Sequence, residues 1–270
     1  MISMRSGVLG LALVASSILS GCGDDKPPPN PVPTPIDAAL CGAVSGVVRF
    51  EGTPPARKAV SMSEPNCKRE AANVLKGEIL DSRLIVTPEA GGNGFVVQDA
   101  FVWISKGLEG RIFARPEMSV ILDQRGCIFT PHVLGVFAWQ ELTIRNSDPL
   151  AHNTSNAVSK ANKRFNVTLG SAGATESRRF GSPEIGMRLA CDVHPWMDAY
   201  LHVVSNPYFF VTGADGRFAL GGKTGAFTLP VGSYVLSVWT QTLGTVEVPI
   251  TVAAGQVTEV AIPAFKLTKE

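Results

Sequence analysis

The stretch CDVHPWM, residues 191–197, places a thiol, an imidazole and a thioether within one short segment. Cys191 and His194 form C-x-x-H, and His194 and Met197 form H-x-x-M. The whole chain has only 4 histidines and 6 methionines, so this clustering is not a matter of composition. Two imidazoles and a thiolate with a weak axial thioether are the donors of an electron-transfer copper site. The segment therefore predicts three ligands of one copper ion, and a second histidine is needed.

That histidine is found upstream, in the stretch NSDPLAHNTS, residues 146–155. His152 is followed by Asn153, shortly after a segment at 141–146 that alternates apolar and polar residues. Alternation predicts a strand with Leu142 and Ile144 on one face. If this strand and the one before Cys191 end side by side in a β-sandwich, His152 reaches the 191–197 loop.

The elements that must position these donors are short strands. Hydrophobic residues make up 45% of the chain, and 27 Gly and 19 Pro break them into short runs, which predicts an all-β fold of one large or two small domains. A segment at 67–77 is the one helix candidate. The predicted strands include 44–52, 95–105, 119–122, 133–137, 141–146 and 199–205.

Together the two donor segments resemble the cupredoxins, in the short-loop pattern C-x-x-H-P-[FW]-M. The upstream run FTPHVLGVFAWQELTIRNSDPLAHN, residues 129–153, resembles the family's F-x-P strand, a second strand and an N-x-D turn leading to H-N. The resemblance covers most of 118–205 and implies a Greek-key cupredoxin sandwich with one type 1 copper per chain. It implies equatorial ligands His152, Cys191 and His194, an axial Met197, and Asn153 holding the two ligand loops together.

The resemblance also implies where electrons enter and leave. In the family the histidine of the C-x-x-H loop reaches an apolar surface, which is here expected to consist of Pro149, Leu150, Pro195 and Trp196. Three features depart from the family pattern: Trp196 stands where Phe is commoner, WQEL replaces a glycine-containing turn, and the polar stretch 159–177 is long. None of these departures removes a ligand.

Each donor also has a structural explanation, as a hydrogen-bonded loop histidine or as a core residue. Their joint spacing favours a metal, whereas His132 and His202 have no ligand spacing and are expected to be structural. The primary hypothesis is a one-electron carrier; the alternative is a cell-surface scaffold or adhesion module with a structural or vestigial copper site. An enzyme is not expected, because 4 histidines cannot build further copper sites and no general base is evident for a zinc hydrolase. Copper storage would need many more Met or Cys ligands.

The C-terminal part has a different pattern. D-G-x-F at 215–218 and L-P-x-G-x-Y-x-L at 229–236 resemble the carboxypeptidase regulatory-like family, and SGVVRFEGTPP at 45–55 resembles the opening strand of the same module. The resemblance implies a small transthyretin-like β-sandwich. We therefore expect an interrupted β-sandwich formed by 42–117 and 206–265, with the cupredoxin domain at 118–205 inserted between its halves.

The N-terminus carries features of export. A basic start and an apolar run at 7–19 lead into LSGC at 19–22, which resembles a bacterial lipobox. The resemblance implies a signal peptide at 1–21, a lipid on Cys22, and an envelope lipoprotein on the periplasmic side or the outer surface. A proline-rich tether follows at 22–40. The net charge of +1 gives no reason to expect a nucleic-acid partner, so the expected partners are the membrane and a redox protein.

Three cysteines remain after Cys22 and Cys191 are assigned. An exported protein can keep disulfides, and three thiols allow one pair and one odd cysteine. Cys67 and Cys127 lie in sequence that looks folded, whereas Cys41 borders the tether. A Cys67–Cys127 disulfide is therefore favoured, and the alternative of three buried thiols stays open.

Overall fold

A computed structural model describes residues 26–222 and 228–267, and the predicted leader and Cys22 lie outside these residues. The all-β class is confirmed. Among the described residues, the helical elements are the 3₁₀ turn Ala38–Leu40 and one α-helix, α1 (Pro65–Leu75). No helix in the described part of the chain is long and apolar enough to span a membrane. The strands are β1 (Cys41–Val47), β2 (Arg49–Phe50), β3 (Ile85–Pro88), β4 (Phe95–Gln98), β5 (Phe101–Lys106), β6 (Val120–Gln124), β7 (Phe129–Thr130), β8 (Val133–Phe137), β9 (Glu141–Asn146), β10 (His152–Ser155), β11 (Asn166–Leu169), β12 (Thr175–Arg179), β13 (Glu184–Ala190), β14 (Asp198–Val204), β15 (Phe209–Val211), β16 (Arg217–Leu220), β17 (Leu229–Pro230), β18 (Gly232–Thr240), β19 (Gly244–Val252) and β20 (Val257–Val260).

Strands β6 to β14 form two sheets, which we call the first sandwich. One sheet has the order β12-β9-β6-β7 and the other β11-β10-β13-β14-β8. Neighbours that are distant in sequence, such as β10 and β13, are what Greek-key connections produce. Strands β7 and β8 are separated by a cis Thr130–Pro131 bond and belong to different sheets, so this stretch links the two layers. Leu122, Leu142 and Leu201 are buried between the layers.

The remaining strands form what we call the second region. Strand β1 pairs with β16, β17 and β20, while β5 lies between β15 and β18. These ladders join segments from both sides of residues 118–205. Val44, Ile104, Leu236 and Val238 are fully buried in its apolar core. The exact domain boundaries and the transthyretin-like family stay predictions.

Two predicted strands are each divided in two. Residues 95–105 form β4 and β5, because Asp99 has a φ of 59° that breaks the extended backbone between them. As a result, β4 joins a small sheet with β2 and β3, and β5 joins β15 and β18. Residues 44–52 similarly fall into β1 and β2. The predicted strands 133–137 and 141–146 have the observed bounds of β8 and β9.

Helix α1 packs on the first sandwich, although it comes from the segment expected to belong to the second. Its start is set by Glu64, whose side chain accepts a hydrogen bond from the Cys67 N–H (2.6 Å), and by Pro65 in the first turn. Cys67 and Ala71 are buried in the core cluster of the first sandwich. Cys67 is also joined to Cys127 by a disulfide. A segment distant in sequence is thus held covalently against the sandwich.

Candidate metal centre

The first ligand-bearing segment is β10, which begins at His152 and lies between β11 and β13. Its approach is fixed by Asn146, whose amide donates to the carbonyls of Leu150 (2.7 Å) and Leu169 (3.0 Å). The His152 side chain is completely buried. Burying an imidazole costs free energy unless its ring nitrogens have hydrogen-bond partners, so the groups around His152 are informative.

The second segment is the loop between β13 and β14, which carries the other three predicted ligands. The Cys191 N–H donates to the Met197 carbonyl (3.1 Å), and the Met197 N–H donates to the His194 carbonyl (2.9 Å). These bonds close the loop into a compact turn. Cys191, His194 and Met197 are all buried. The four predicted ligands therefore lie at the start of β10 and on a loop that joins two strands of the same sheet.

The donor atoms of the two segments converge. Nδ1 of His152 lies 3.0 Å from Nδ1 of His194, and Sγ of Cys191 lies 3.7 Å from the latter. The three side chains can place one donor atom each within 4.8 Å of one another. A trigonal site with bonds of about 2.0–2.3 Å separates its donors by roughly 3.5–4 Å. The Sγ–Nδ1 separation fits such a site, whereas the two Nδ1 atoms lie closer together. The set offers nitrogen and sulfur donors for a metal ion, with Met197 on the same loop.

Asn153 connects the two segments. Its Oδ1 accepts the Asp192 N–H (2.8 Å) and lies 3.1 Å from Sγ of Cys191. Its Nδ2 donates to Oδ1 of Asn166 and to Oδ2 of Asp192, each at 2.8 Å. Both ends of this amide are thus committed, which fixes the position of the ligand loop relative to β10.

Asp148 is the last residue of the N-x-D turn, and its position in the sequence predicts no further role. Its side chain is fully buried, and Oδ2 lies 2.9 Å from Nε2 of His152. The backbone N–H groups of Gly126 and Cys127 donate to the same carboxylate. Asp148 and His152 are four residues apart in the sequence. This spacing indicates a contact between their side chains only when the turn between them is known.

Burial, hydrogen bonds and neighbouring charges shift the pKa values of His152, Cys191 and His194. Burial lowers the pKa of His152, but the Asp148 carboxylate and the Cys191 sulfur outweigh burial and raise it to about 9. Burial raises the pKa of Cys191, but hydrogen bonds from His152 and from the backbone of Asn153 outweigh it and lower that pKa. Burial, followed by the charge on His152, lowers the pKa of His194. The thiolate, which is the form that binds metals, is therefore favoured.

The predicted apolar surface near His194 is only partly open. The His194 side chain is 4% exposed, and its ring centroid lies 5.2 Å from that of Trp196. Trp196 is itself half-buried, and its Nε1–H donates to the Cys127 carbonyl (3.0 Å). Pro149 and Pro195 are exposed, and Leu150 is half-buried. His194 is thus partly covered by Trp196 and is followed in the chain by the exposed Pro195.

The other two histidines lie away from the converging donors. His132 is bonded through Nε2 to Oε1 of Gln241 (2.7 Å). His202 is buried at the junction between the first sandwich and the second region, where it stacks on Phe101 at a centroid distance of 4.0 Å. Burial lowers its pKa to about 3, so it is neutral at physiological pH.

Comparisons with known proteins give limited information. No family model matches the chain, and no curated protein matches it. Among solved structures, a Cu-containing nitrite reductase from Thermus scotoductus SA-01 is 19% identical over 37% of this chain, with a TM-score of 0.31. This chain spans only 25% of that reductase.

Two smaller proteins also align with this chain. A mutant of amicyanin in its Cu(I) form is 17% identical over 32% of this chain and 82% of its own, with a TM-score of 0.28. A purple cupredoxin from Nitrosopumilus maritimus is 20% identical over 33% of this chain and 100% of its own, with a TM-score of 0.27. At these identities and TM-scores, none of the three assigns a function to this chain.

Proposed function

We propose that the protein is a type 1 copper protein that transfers single electrons. The observation that carries this proposal is the convergence of His152 Nδ1, Cys191 Sγ and His194 Nδ1 in a buried site. Copper, when bound, supplies a one-electron change between Cu(I) and Cu(II). Soft sulfur donors suit the reduced ion and imidazoles suit the oxidised one, so this set serves both states.

The surrounding structure suits electron transfer because it limits rearrangement. One ligand begins β10 and three lie on the loop between β13 and β14, and Asn153 ties β10 to this loop through two hydrogen bonds with Asp192. Buried ligands whose other polar atoms are hydrogen-bonded move little when the charge of the ion changes. A redox protein of unknown identity would dock against the surface around Pro149, Pro195 and Trp196, because this is where His194 comes nearest to solvent.

The visible spectrum tests the proposal directly. The protein, reduced at its free thiols and then loaded with Cu(II), is expected to show intense thiolate-to-copper charge transfer. If the folded protein binds Cu(II) without this absorption, the electron-carrier proposal is wrong. The scaffold with a structural or vestigial metal site would then be the better description.

We also propose that the protein is anchored in the cell envelope through a lipid on Cys22. The support is the sequence pattern at 19–22, followed by a proline-rich stretch that suits a tether. Mass spectrometry of the mature protein is expected to find an acylated Cys22 at the N-terminus. A Cys22→Ser protein that still fractionates with membranes would contradict the anchor.

The two-domain organisation is a further part of the proposal. Ladders between β1 and β16 and between β5 and β18 support a module built from 42–117 and 206–265 around a copper domain at 118–205. Helix α1 is the exception, because it packs on the first sandwich. Limited proteolysis should therefore leave α1 attached to the copper domain through the Cys67–Cys127 disulfide.

A further inference from the structure

The Asp148 carboxylate is buried without a cationic Lys or Arg partner among the interactions of the described residues. Its Oδ2 accepts from Nε2 of His152 (2.9 Å) and from the Cys127 N–H (2.8 Å). Its Oδ1 accepts from the Gly126 N–H (2.6 Å). Burying a carboxylate is costly unless such partners are present, so three directed donors here indicate a position built for an anion.

The two backbone donors come from a turn shaped for this purpose. Gly126 and Cys127 have φ values of 68° and 56°, and the Arg125 N–H to Ile128 carbonyl bond (3.0 Å) closes the turn between β6 and β7. Two successive left-handed residues characterise a type I′ turn, and successive N–H groups of such backbone form an anion-binding concavity. Left-handed backbone is unfavourable for a non-glycine residue such as Cys127.

Neighbouring contacts hold this turn in place. A Cβ at Gly126 would lie 2.9 Å from the end of the Leu75 side chain of α1, which would have to move, and the φ of 68° favours glycine. Cys127 is fixed to the same helix by its disulfide with Cys67. The helix, the turn and the carboxylate thus form one connected support behind His152.

We propose that Asp148 is a positioning residue that keeps the Nε2–H of His152 engaged, so that Nδ1 faces the other donors and binds a divalent metal more strongly. The identity of that metal rests on the proposed copper function. A carboxylate bonded to the far nitrogen of a ligating imidazole makes the imidazole more basic and fixes its orientation. A negative charge at this distance also stabilises Cu(II) more than Cu(I).

An Asp148→Asn variant tests the proposal, with Asp123→Asn as the matched control. Asp123 is a largely buried carboxylate of the same sandwich whose hydrogen bonds come from Ser147 Oγ and Arg145 rather than from His152. Asp148→Asn is expected to weaken Zn(II) and Cu(II) binding by about 10–100-fold and to raise the copper reduction potential. Asp123→Asn is expected to keep the wild-type values. Equal effects of the two variants, or no effect of Asp148→Asn, would overturn the proposal.

A second measurement needs no variant and no copper. In ¹⁵N-labelled wild-type protein loaded with Zn(II), the Nε2–H proton of His152 is expected downfield and protected from solvent exchange. An Nε2–H that exchanges as quickly as that of a solvent-exposed histidine would overturn the proposal, even if Asp148→Asn does not fold. Because Zn(II) gives no charge-transfer band, this result is separate from the copper spectrum, whose failure would remove only the proposed function.

Discussion

The first sandwich and the second region are both β structures with apolar cores, but they bury different polar groups. In the second region, the buried polar groups among the described residues are one amide, five hydroxyls and one thiol, namely Asn206, Thr212, Ser237, Thr240, Tyr208, Tyr234 and Cys41. In the first sandwich, the imidazoles of His152 and His194, the carboxylates of Asp123 and Asp148 and several amides are buried. Packing alone does not need such groups, because each costs free energy unless it is fully bonded.

The buried polar groups of the two regions also differ in the groups to which they are bonded. In the second region a buried amide serves the backbone: Asn206 donates to the Ile104 carbonyl (2.9 Å) and accepts from the Tyr208 N–H (3.0 Å). In the first sandwich, Asn153 is bonded to Asp192 of the ligand loop, and His152 is bonded to His194 of that loop and to Asp148. Asp148 is in turn held by the N–H groups of the turn at 126–127. The buried polar network therefore serves the site, and the apolar second region serves the fold.

The strongest test of this comparison exchanges one buried free thiol in each region. Cys191 and Cys41 are both buried and outside the disulfide. Cys191→Ser is expected to abolish the thiolate-to-Cu(II) absorption, because an alcohol does not supply the charge or covalency of a thiolate. Cys41→Ser, which alters a thiol that donates to the Asp37 carbonyl (3.2 Å), should keep the band. Loss of the band in both variants, with both proteins folded, would contradict the assignment of the site.

A core deletion in the second region should have the opposite consequence. Leu236 is fully buried there, and Leu236→Ala is expected to lower the free energy of unfolding by about 2–5 kcal/mol. The position and intensity of the copper band in the folded protein should not change. Urea unfolding and the visible spectrum of the same sample check both statements. A shifted band in the folded variant would show that the second region shapes the site.

His202, at the junction of the two regions, gives a pH-dependent test. Its pKa is lowered from 6.5 to about 3 by burial, so the unfolded chain binds a proton that the folded one does not as the pH falls below about 6.5. Stability is therefore lost on acidification through the window from about pH 6.5 to about pH 3. Between pH 7 and pH 5, the wild type should lose about 2 kcal/mol more than His202→Leu. Urea unfolding at both pH values checks this, and parallel losses in the two proteins would contradict a neutral buried His202.

The smallest effect concerns two buried methionines of the first sandwich. Met197→Leu is expected to keep the charge-transfer band and raise the reduction potential, because a weak donor to Cu(II) is lost. The control is Met187, which is buried in the same core. Its Sδ lies 3.6 Å from Nδ2 of Asn156. Met187→Leu should leave the potential unchanged. Potentiometric titration of both variants distinguishes an axial ligand from a core methionine.

The sequence predicted the parts of the site that depend on order and spacing. The bounds of β8 and β9 were predicted correctly, as was the burial of Leu142 and Ile144 on one face of β9. Alternation is a local property, so it can be recognised in a short window. The ligand residues were proposed from two segments, and the structure brings His152, Cys191 and His194 together.

The support behind His152 could not be predicted in the same way. The role of Asp148 depends on two left-handed residues at Gly126 and Cys127, and nothing local distinguishes an R-G-C-I turn from others. The position of α1 depends on which face of the molecule its short apolar stripe meets, which is set by tertiary contacts rather than by propensity. Residues 95–105 were predicted as one strand because apolar residues lie on both sides of Asp99. The left-handed backbone at Asp99 that divides this strand is not visible in the sequence.

The burial of the ligands has a consequence for the rate at which copper leaves the protein. Because His152, Cys191, His194 and Met197 are all buried, a chelator would reach a bound ion only when the segments around the site open. Local opening then limits release. At high chelator concentration the rate of copper loss should become independent of that concentration. It should rise when the Cys67–Cys127 link to α1 is reduced.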